Sequence, residues 1–302
     1  MNVSPRWLAG DTHQRRIAAV LFVILALALW SGARSPSGDL SNHYTDHLRH
    51  EAESLALLRH GFDIYRRPYA ETTRDVGLTD GQHQGLWPER TAPYPPLGIL
   101  FFAPIAGLER AGDLTPGHAH ALAVGLLVLI ACLACLAGGR LARRSTCLFQ
   151  LGFVLLGGSL LFGAGANGFF DVLYCLAGFL GLEALANDRN AHALAFFALA
   201  GSLHFRAAVL LPAAGFALWR GLAGPDRRRT LWVLGISCLA LAPVACAALV
   251  LDTHAFVVVN PLRVKLVRTC AFAALAAAGM AFALSRRRPL TALTLFCASL
   301  LL

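Results

Sequence analysis

The sequence predicts an all-α protein that crosses a membrane several times, and three observations support this fold class. Hydrophobic residues form 57% of the 302 residues, compared with about 45–50% in soluble domains. Charged residues form only 14%, where soluble domains have about 25%. Apolar runs close to the length of a spanning helix recur from residue 17 onwards. We therefore expect one polytopic integral-membrane domain over residues 1–302.

Six apolar runs are predicted to span the membrane, and two further stretches need a separate argument. The six runs are 17–32, 118–138, 146–164, 168–186, 230–251 and 265–284. The stretch 97–108 is too short to cross, and Pro104 interrupts it, so we expect a short interfacial or re-entrant helix lying on the bundle. The stretch 191–220 is longer and carries His204 and Arg206 near its middle.

Short arginine clusters between the apolar runs indicate how 191–220 is arranged. Such clusters stay on the cytoplasmic side of a membrane. If 191–220 forms a hairpin of two spanning helices, every short cluster faces the cytoplasm. The clusters contain Arg6, Arg15, Arg16, Arg140, Arg143, Arg144, Arg189, Arg220, Arg227, Arg228, Arg229, Arg286, Arg287 and Arg288. The chain then has about eight to nine transmembrane helices in a cell inner membrane, and 33–117 is a large first loop in the periplasm.

The loop 33–117 concentrates the polar residues that can carry chemistry. Eleven of the 17 acidic residues and seven of the 11 histidines lie in this loop or just after it. Loops on a rigid scaffold often hold functional sites, so we expect the site at this face of the membrane. Residues 42–60 have the spacing of an amphipathic helix. Its apolar stripe consists of Leu48, Ala52, Leu55 and Leu58.

The polar face of the predicted helix 42–60 leaves three interpretations open. In the first interpretation, this polar face is the solvated side of a helix that lies at the membrane interface. Alternatively, His43 and His47 are four residues apart and lie on one helical face, as two ligands of a metal ion do. In the third interpretation, Asp46 is a general base at the membrane surface, with nearby histidines that position it or tune its pKa. A divalent cation beside the acidic residue stays open as a cofactor.

Two motifs follow this helix. Gly61-Phe-Asp-Ile-Tyr65 comes directly after it, and Tyr94-Pro-Pro-Leu-Gly98 leads into 97–108. Together with a basic first span and an early acidic residue in the outer helix, this order resembles the GT-C glycosyltransferases, in particular the bacterial polyprenol-phosphate-dependent mannosyltransferase-like group. The resemblance covers about 39–108 and 163–222. It implies a GT-C helical bundle that moves a sugar from a polyprenyl-phosphate donor to a glycan or lipid-linked acceptor at the outer face.

The resemblance also implies roles for residues of the first outer loop. The catalytic acidic residue of the family lies close to the membrane in this loop, and Asp46 takes that place here. His47 and His50 follow on the same helix and are candidates for substrate binding. Tyr94 belongs to the Tyr-Pro-Pro motif and is either a substrate contact or an aromatic anchor at the membrane interface. No metal ligand is assigned.

Further candidates lie in the second stretch of the resemblance. Asn167 takes over the amide role of a Gly-Gln pair in similar enzymes, because Ala166 stands at the glutamine position. Asp171 binds substrate hydroxyls or pairs with Arg206. His204 and Arg206 replace the lysine of the family's Lys-Pro ending and are the candidates for binding the donor phosphate, which the arginine fork fits. A charged residue between apolar halves also predicts function without any family, because it is costly in a bilayer.

Other function classes fit the sequence less well. The net charge of +9 does not indicate nucleic-acid binding, because membrane orientation explains the arginines. The alternative to an enzyme is a polytopic transporter or a flippase for lipid-linked sugars, which places ionisable residues near the bilayer midplane. The crowding of polar residues in one outer loop favours surface chemistry. The expected partners are the sugar donor, the acceptor and membrane lipids.

Overall fold

The computed structural model of the protein describes residues 46–68, 94–142 and 171–250, together with Glu71, Arg74, Val76 and Ala92. These residues form helices and no β-strand, as the sequence predicts. The helices are α1 (Asp46–His60), α2 (Pro96–Leu100), α3 (Ala103–Ala111), α4 (Pro116–Ala142), α5 (Asp171–Ala186), α6 (Asn190–Leu203), α7 (Leu211–Ala223) and α8 (Arg227–Val250). The 3-10 segment Gly61–Tyr65 follows α1, and a second one, Phe205–Leu210, joins α6 to α7.

Among the described residues, two helices are long and apolar enough to cross a membrane, Pro116–Leu141 in α4 and Arg227–Ala247 in α8. They match two predicted spans within a few residues. Helix α5 packs between α4 and α6, and α6 also packs against α7 and α8. The predicted runs 17–32, 146–164 and 265–284 lie outside the described residues. The count of eight to nine crossing helices and the GT-C bundle therefore stay predictions.

The stretch 191–220 is divided into two helices, α6 with 14 residues and α7 with 13, and that both of them span the membrane stays a prediction. Helix α6 ends at Leu203, and His204 has an extended backbone with φ −153° and ψ 137°. At the other end of the pair, the Arg220 guanidinium donates a hydrogen bond of 2.6 Å to the Asp188 carboxylate just before α6. The chain therefore returns to the end where α6 began, which is the geometry of a hairpin.

Most of the arginines of the described helices lie at this same end of the bundle, which we call the arginine end. Arg140, near the end of α4, donates two hydrogen bonds of 2.7 and 2.8 Å to Glu183, near the end of α5. Arg229 at the start of α8 contacts His192 at the start of α6 at 3.0 Å. Asp171 begins α5 at the opposite end, so the predicted site residues lie away from these arginines.

The stretch 97–108 lies back on the bundle, but as two helices and not as one. Pro104 has no N–H to donate to the carbonyl of Leu100, so α2 ends there and α3 starts with Pro104 in its first turn. Ile99 and Phe102 are fully buried. Helix α2 packs on α1, α6 and α8, and α3 packs on α1 and α4. These contacts place the outer-loop helices over one end of the bundle.

Candidate functional site

Helix α1 carries a cluster of buried ionisable side chains. Arg49, His50 and Glu53 are 6%, 0% and 1% exposed. The Arg49 Nε and the His50 Nδ1 each lie 2.9 Å from one carboxylate oxygen of Glu53. Spacings of three and four residues place all three on one helical face. Burial alone raises the pKa of Glu53, but the charges and hydrogen bonds of Arg49 and His50 outweigh it and leave this pKa lowered.

The exposure of the α1 side chains corrects two expectations for this helix. The interpretation of its polar face as a solvated surface is wrong for His50 and Glu53. Leu58, which the sequence assigns to the apolar stripe, is 66% exposed. His50 and Glu53 are buried because α1 packs against α2, α3 and α4. Contacts on several sides bury polar as well as apolar residues, and ion pairing offsets the cost of burying the polar groups.

Tyr94 connects α1 to the hairpin between α6 and α7. Its ring lies 4.8 Å from the His50 ring and 5.4 Å from the His204 ring, measured between centroids. The Tyr65 hydroxyl donates a hydrogen bond of 2.9 Å to the backbone carbonyl of Tyr94. Burial and the charge of Glu53 raise the pKa of Tyr65, so its hydroxyl stays protonated and able to donate. The Tyr-Pro-Pro motif is thus anchored by the tyrosine of the preceding motif.

His204 lies in the connection that follows α6 and is almost fully buried. Its Nδ1 accepts a hydrogen bond of 2.9 Å from the backbone N–H of Arg206, so the ring proton of the neutral form sits on Nε2. That nitrogen lies 3.6 Å from the Asp171 carboxylate. Burial lowers the pKa of His204 to about 4, with Asp171 opposing the shift and Arg206 and His50 adding to it. His204 is therefore neutral near pH 7.

Asp171 and Arg206 form an ion pair at the same end of the bundle. The Arg206 guanidinium lies 3.3 Å from the Asp171 carboxylate, and the arginine side chain is 45% exposed. Tyr174, one turn after Asp171, interacts electrostatically with Arg206, and its ring lies 4.8 Å from the His204 ring. The carboxylate and the tyrosine hold a cation at the surface of the bundle, where it can meet an anion.

An apolar groove with a volume of about 370 Å³ starts at the end of the bundle that holds this ion pair, although neither Asp171 nor Arg206 lines it. It runs between one face of α5 and one face of α6, and α2 forms its third side. Leu173 follows Asp171 by two residues, and Leu203 directly precedes His204. The groove extends along both helices as far as Leu180 and Phe196. A span of seven residues in α5 is about 10 Å, so the groove can hold part of a lipid chain.

Five of the predicted site residues are thus brought together. They are His50, Tyr94, Asp171, His204 and Arg206. The remaining three are Asp46, His47 and Asn167. Asp46 begins α1 one turn before His50, but its side chain and that of His47 lie outside the described residues, as does the whole of Asn167.

Sequence reasoning assigned no role to Tyr174 and Arg49. Tyr174 lies three residues after Asp171, on the same face of α5, and this spacing is the signal that identifies it. Arg49 lies four residues before Glu53, which is the spacing of a helical ion pair. Both signals are weak in sequence, because most such pairs on helices are exposed to solvent.

Among the described residues, no group of three or more His, Cys, Asp or Glu side chains is arranged to hold a metal ion. His43 and the side chains of Asp46 and His47 lie outside the described residues, so the metal-ligand and general-base interpretations of α1 both stay predictions. Comparisons of the chain with protein-family models, curated proteins and solved structures find no match.

Proposed function

We propose that this protein is a membrane glycosyltransferase that moves a sugar from a polyprenyl-phosphate donor to a glycan or lipid-linked acceptor. The reaction takes place at the end of the bundle opposite the arginine end, at the periplasmic face of a cell inner membrane. The observation that carries the proposal is the position of Arg206. Its exposed guanidinium lies at the end of the bundle where an apolar groove starts. A lipid that carries a phosphate has the opposite charge and an apolar chain.

Arg206 acts on the phosphate of the donor. When the bond between the anomeric carbon and the phosphate oxygen breaks, negative charge grows on the departing polyprenyl phosphate. A cation already in place stabilises this charge without having to reorganise. Asp171 and Tyr174 hold the guanidinium, and neutral His204 adds no charge that would bind the product more tightly.

Asp46 supplies the base in this proposal. It accepts the proton of the acceptor hydroxyl, whose oxygen then attacks the anomeric carbon and displaces the phosphate. Asp46 starts α1 one turn before His50, and His50 contacts Tyr94, whose ring reaches His204. This chain of contacts fixes the start of α1 relative to the phosphate-binding end.

The test is sugar transfer by the full chain in bilayers. Purified protein is supplied with polyprenyl phosphates that carry radiolabelled mannose, glucose or arabinose, and with a membrane extract as acceptor. We expect donor-dependent transfer that Asp46→Asn abolishes at equal protein amounts, because an amide cannot accept the proton. Asp63→Asn, at an exposed carboxylate paired with Arg67, is the matched control. Movement of the donor across the bilayer without any transfer would support the flippase alternative and overturn the proposal.

A further inference from the structure

Helix α8 has a second groove, on a face that no other described element covers. The groove has a volume of about 410 Å³ and is formed by one side of this helix. Trp232, Ile236 and Leu239 are 67%, 62% and 75% exposed. The groove begins at Arg228, in the first turn of α8, and runs toward the middle of the helix. An apolar surface with a cation at one end matches an anionic lipid, whose apolar chain ends in a charged headgroup.

Gly235 forms the floor of this groove. A Cβ atom at Gly235 would meet nothing within 4 Å, so the missing side chain leaves open space. Trp232 and Leu239 lie three residues before and four residues after Gly235, and they form the walls. The open space at Gly235, which we call the notch, is therefore a consequence of the sequence of α8, and a larger side chain at position 235 would fill it.

The charge around Arg228 favours an anionic ligand. The arginine end carries six arginines among the described residues, against the carboxylates of Glu183, Asp188 and Asp226. Three of these arginines have partners, in Glu183, Asp188 and His192. Among the described residues, no carboxylate forms an ion pair with Arg228. An apolar protein segment on this face would bury that cation without a counter-charge, which is costly.

We propose that this face of α8 binds one anionic phospholipid of the leaflet at the arginine end. Its phosphate is held by Arg228, whose planar fork donates two hydrogen bonds to phosphate oxygens. One acyl chain lies over Gly235 and contacts Trp232, Ile236 and Leu239. Tryptophan is favoured where headgroups meet acyl chains, and basic side chains at this level attract anionic lipids. The site is separate from the Arg206 end and does not depend on sugar transfer.

Quenching of Trp232 by brominated lipids tests this site. The full chain is reconstituted in phosphatidylcholine vesicles that contain increasing fractions of chain-brominated phosphatidylglycerol, with brominated phosphatidylcholine as the reference quencher. The signal of Trp232 is the difference between the wild type and Trp232→Phe. We expect Trp232 to prefer phosphatidylglycerol by about fivefold, the effect of one arginine near a membrane surface. Arg228→Gln should reduce this preference to about one.

The matched control is Arg227→Gln, which removes the same charge from the neighbouring position that does not line the groove. It should keep most of the preference, while Gly235→Leu should lower it by filling the notch. Equal losses in Arg227→Gln and Arg228→Gln would mean diffuse attraction, and this result overturns the site. Equal quenching by both lipids in the wild type also overturns it. The same holds if Gly235→Leu dissociates a dimer or lowers Tm without changing the quenching, because a protein surface then covers the groove.

Discussion

The carboxylate of Glu53 lies 2.9 Å from the His50 Nδ1, and both side chains are fully buried within α1. The same carboxylate accepts a hydrogen bond from Arg49. A buried carboxylate is stable in its charged form only when such partners surround it. Because His50 also contacts Tyr94 and Phe102, the ion cluster fixes the position of α1 on the helices of the outer loop.

The first prediction is that Glu53→Gln destabilises the protein strongly. The variant removes the Glu53 charge that faces buried Arg49, and breaking a buried pair in this way costs about 3 kcal/mol or more. Asp63→Asn, which breaks the exposed pair with Arg67, is the control and should have little effect, because exposed pairs contribute little. Thermal unfolding of both variants in detergent at pH 7 measures the difference.

The pH dependence of the same variant follows from the lowered pKa of Glu53. A group whose pKa is lower in the folded state stabilises the fold above its unfolded pKa, and this contribution is lost as the pH falls. The gap in Tm between wild type and Glu53→Gln should therefore be constant near neutral pH. It should shrink at pH values below the ordinary value of 4.5. A gap that is unchanged down to pH 3 would contradict the role given to the carboxylate.

The sequence predicts the two candidate spans among the described residues well, but it does not predict the arrangement of α1. Apolar length predicts α4 and α8 within a few residues, because a bilayer demands a minimum length of apolar chain. The hairpin of 191–220 follows from the placement of arginines alone. In contrast, the amphipathic pattern of α1 shows only which face can be buried at no electrostatic cost. It does not show that ion pairs allow the opposite face to be buried as well.

The candidate site also has features that the sequence predicts and features that it does not. Arg206 and Asp171 are recognisable in sequence, because charges next to apolar helices are rare and expensive. Their 3.3 Å contact requires the hairpin to bring position 206 back to the start of α5. The ring contact of Tyr94 with His204 depends on long-range packing of the outer loop. No local periodicity encodes it.

The second prediction concerns His204 and a different range of pH. Its pKa is lowered from the ordinary value of 6.5 to about 4, so between these values the unfolded chain binds a proton and the folded chain does not. Stability should therefore fall as the pH is lowered from 6.5 to 4, by about 3 kcal/mol at most. His204→Asn keeps an acceptor near the position of Nδ1 but cannot titrate, and it should remove this part of the slope. Tm measured at intervals between pH 7 and 4.5 gives the result, and parallel curves for the two proteins would contradict it.

The third prediction is the orientation of the bundle. Arg228 at the start of α8 and Arg110 on α3 are both exposed, and the arginine clusters place them on opposite sides of the membrane. In a cysteine-free background, a membrane-impermeant maleimide added to intact cells should label Arg110→Cys. It should label Arg228→Cys only after the cells are opened. The reverse pattern would mean that the Arg206 end faces the cytoplasm, and the donor would then have to be used on that side.

The fourth prediction is that the charge and the shape of Arg206 both matter for transfer. Arg206→Lys keeps the charge but loses the planar fork, so donor turnover should fall partially. Arg206→Ala loses both, and the rate should fall by about 100-fold or more, as when one donor that faces a developing anion is removed. Donor affinity should weaken in parallel, while the affinity for the acceptor is spared. The measurement is donor-dependent transfer at several donor concentrations, in membranes with matched protein amounts.

A purely structural role of Arg206 predicts different results for the same variants. If the guanidinium only pairs with Asp171 at a helix end, lysine should replace it almost fully, since either cation can lie beside the carboxylate. Alanine should then lower Tm and leave the rate per folded molecule unchanged. Asp171→Asn separates the two views further, because it removes the structural pair while leaving the cation available to a phosphate. Strong transfer by Asp171→Asn together with weak transfer by Arg206→Ala assigns the arginine to the donor, and equal activity of all these proteins removes it from the mechanism.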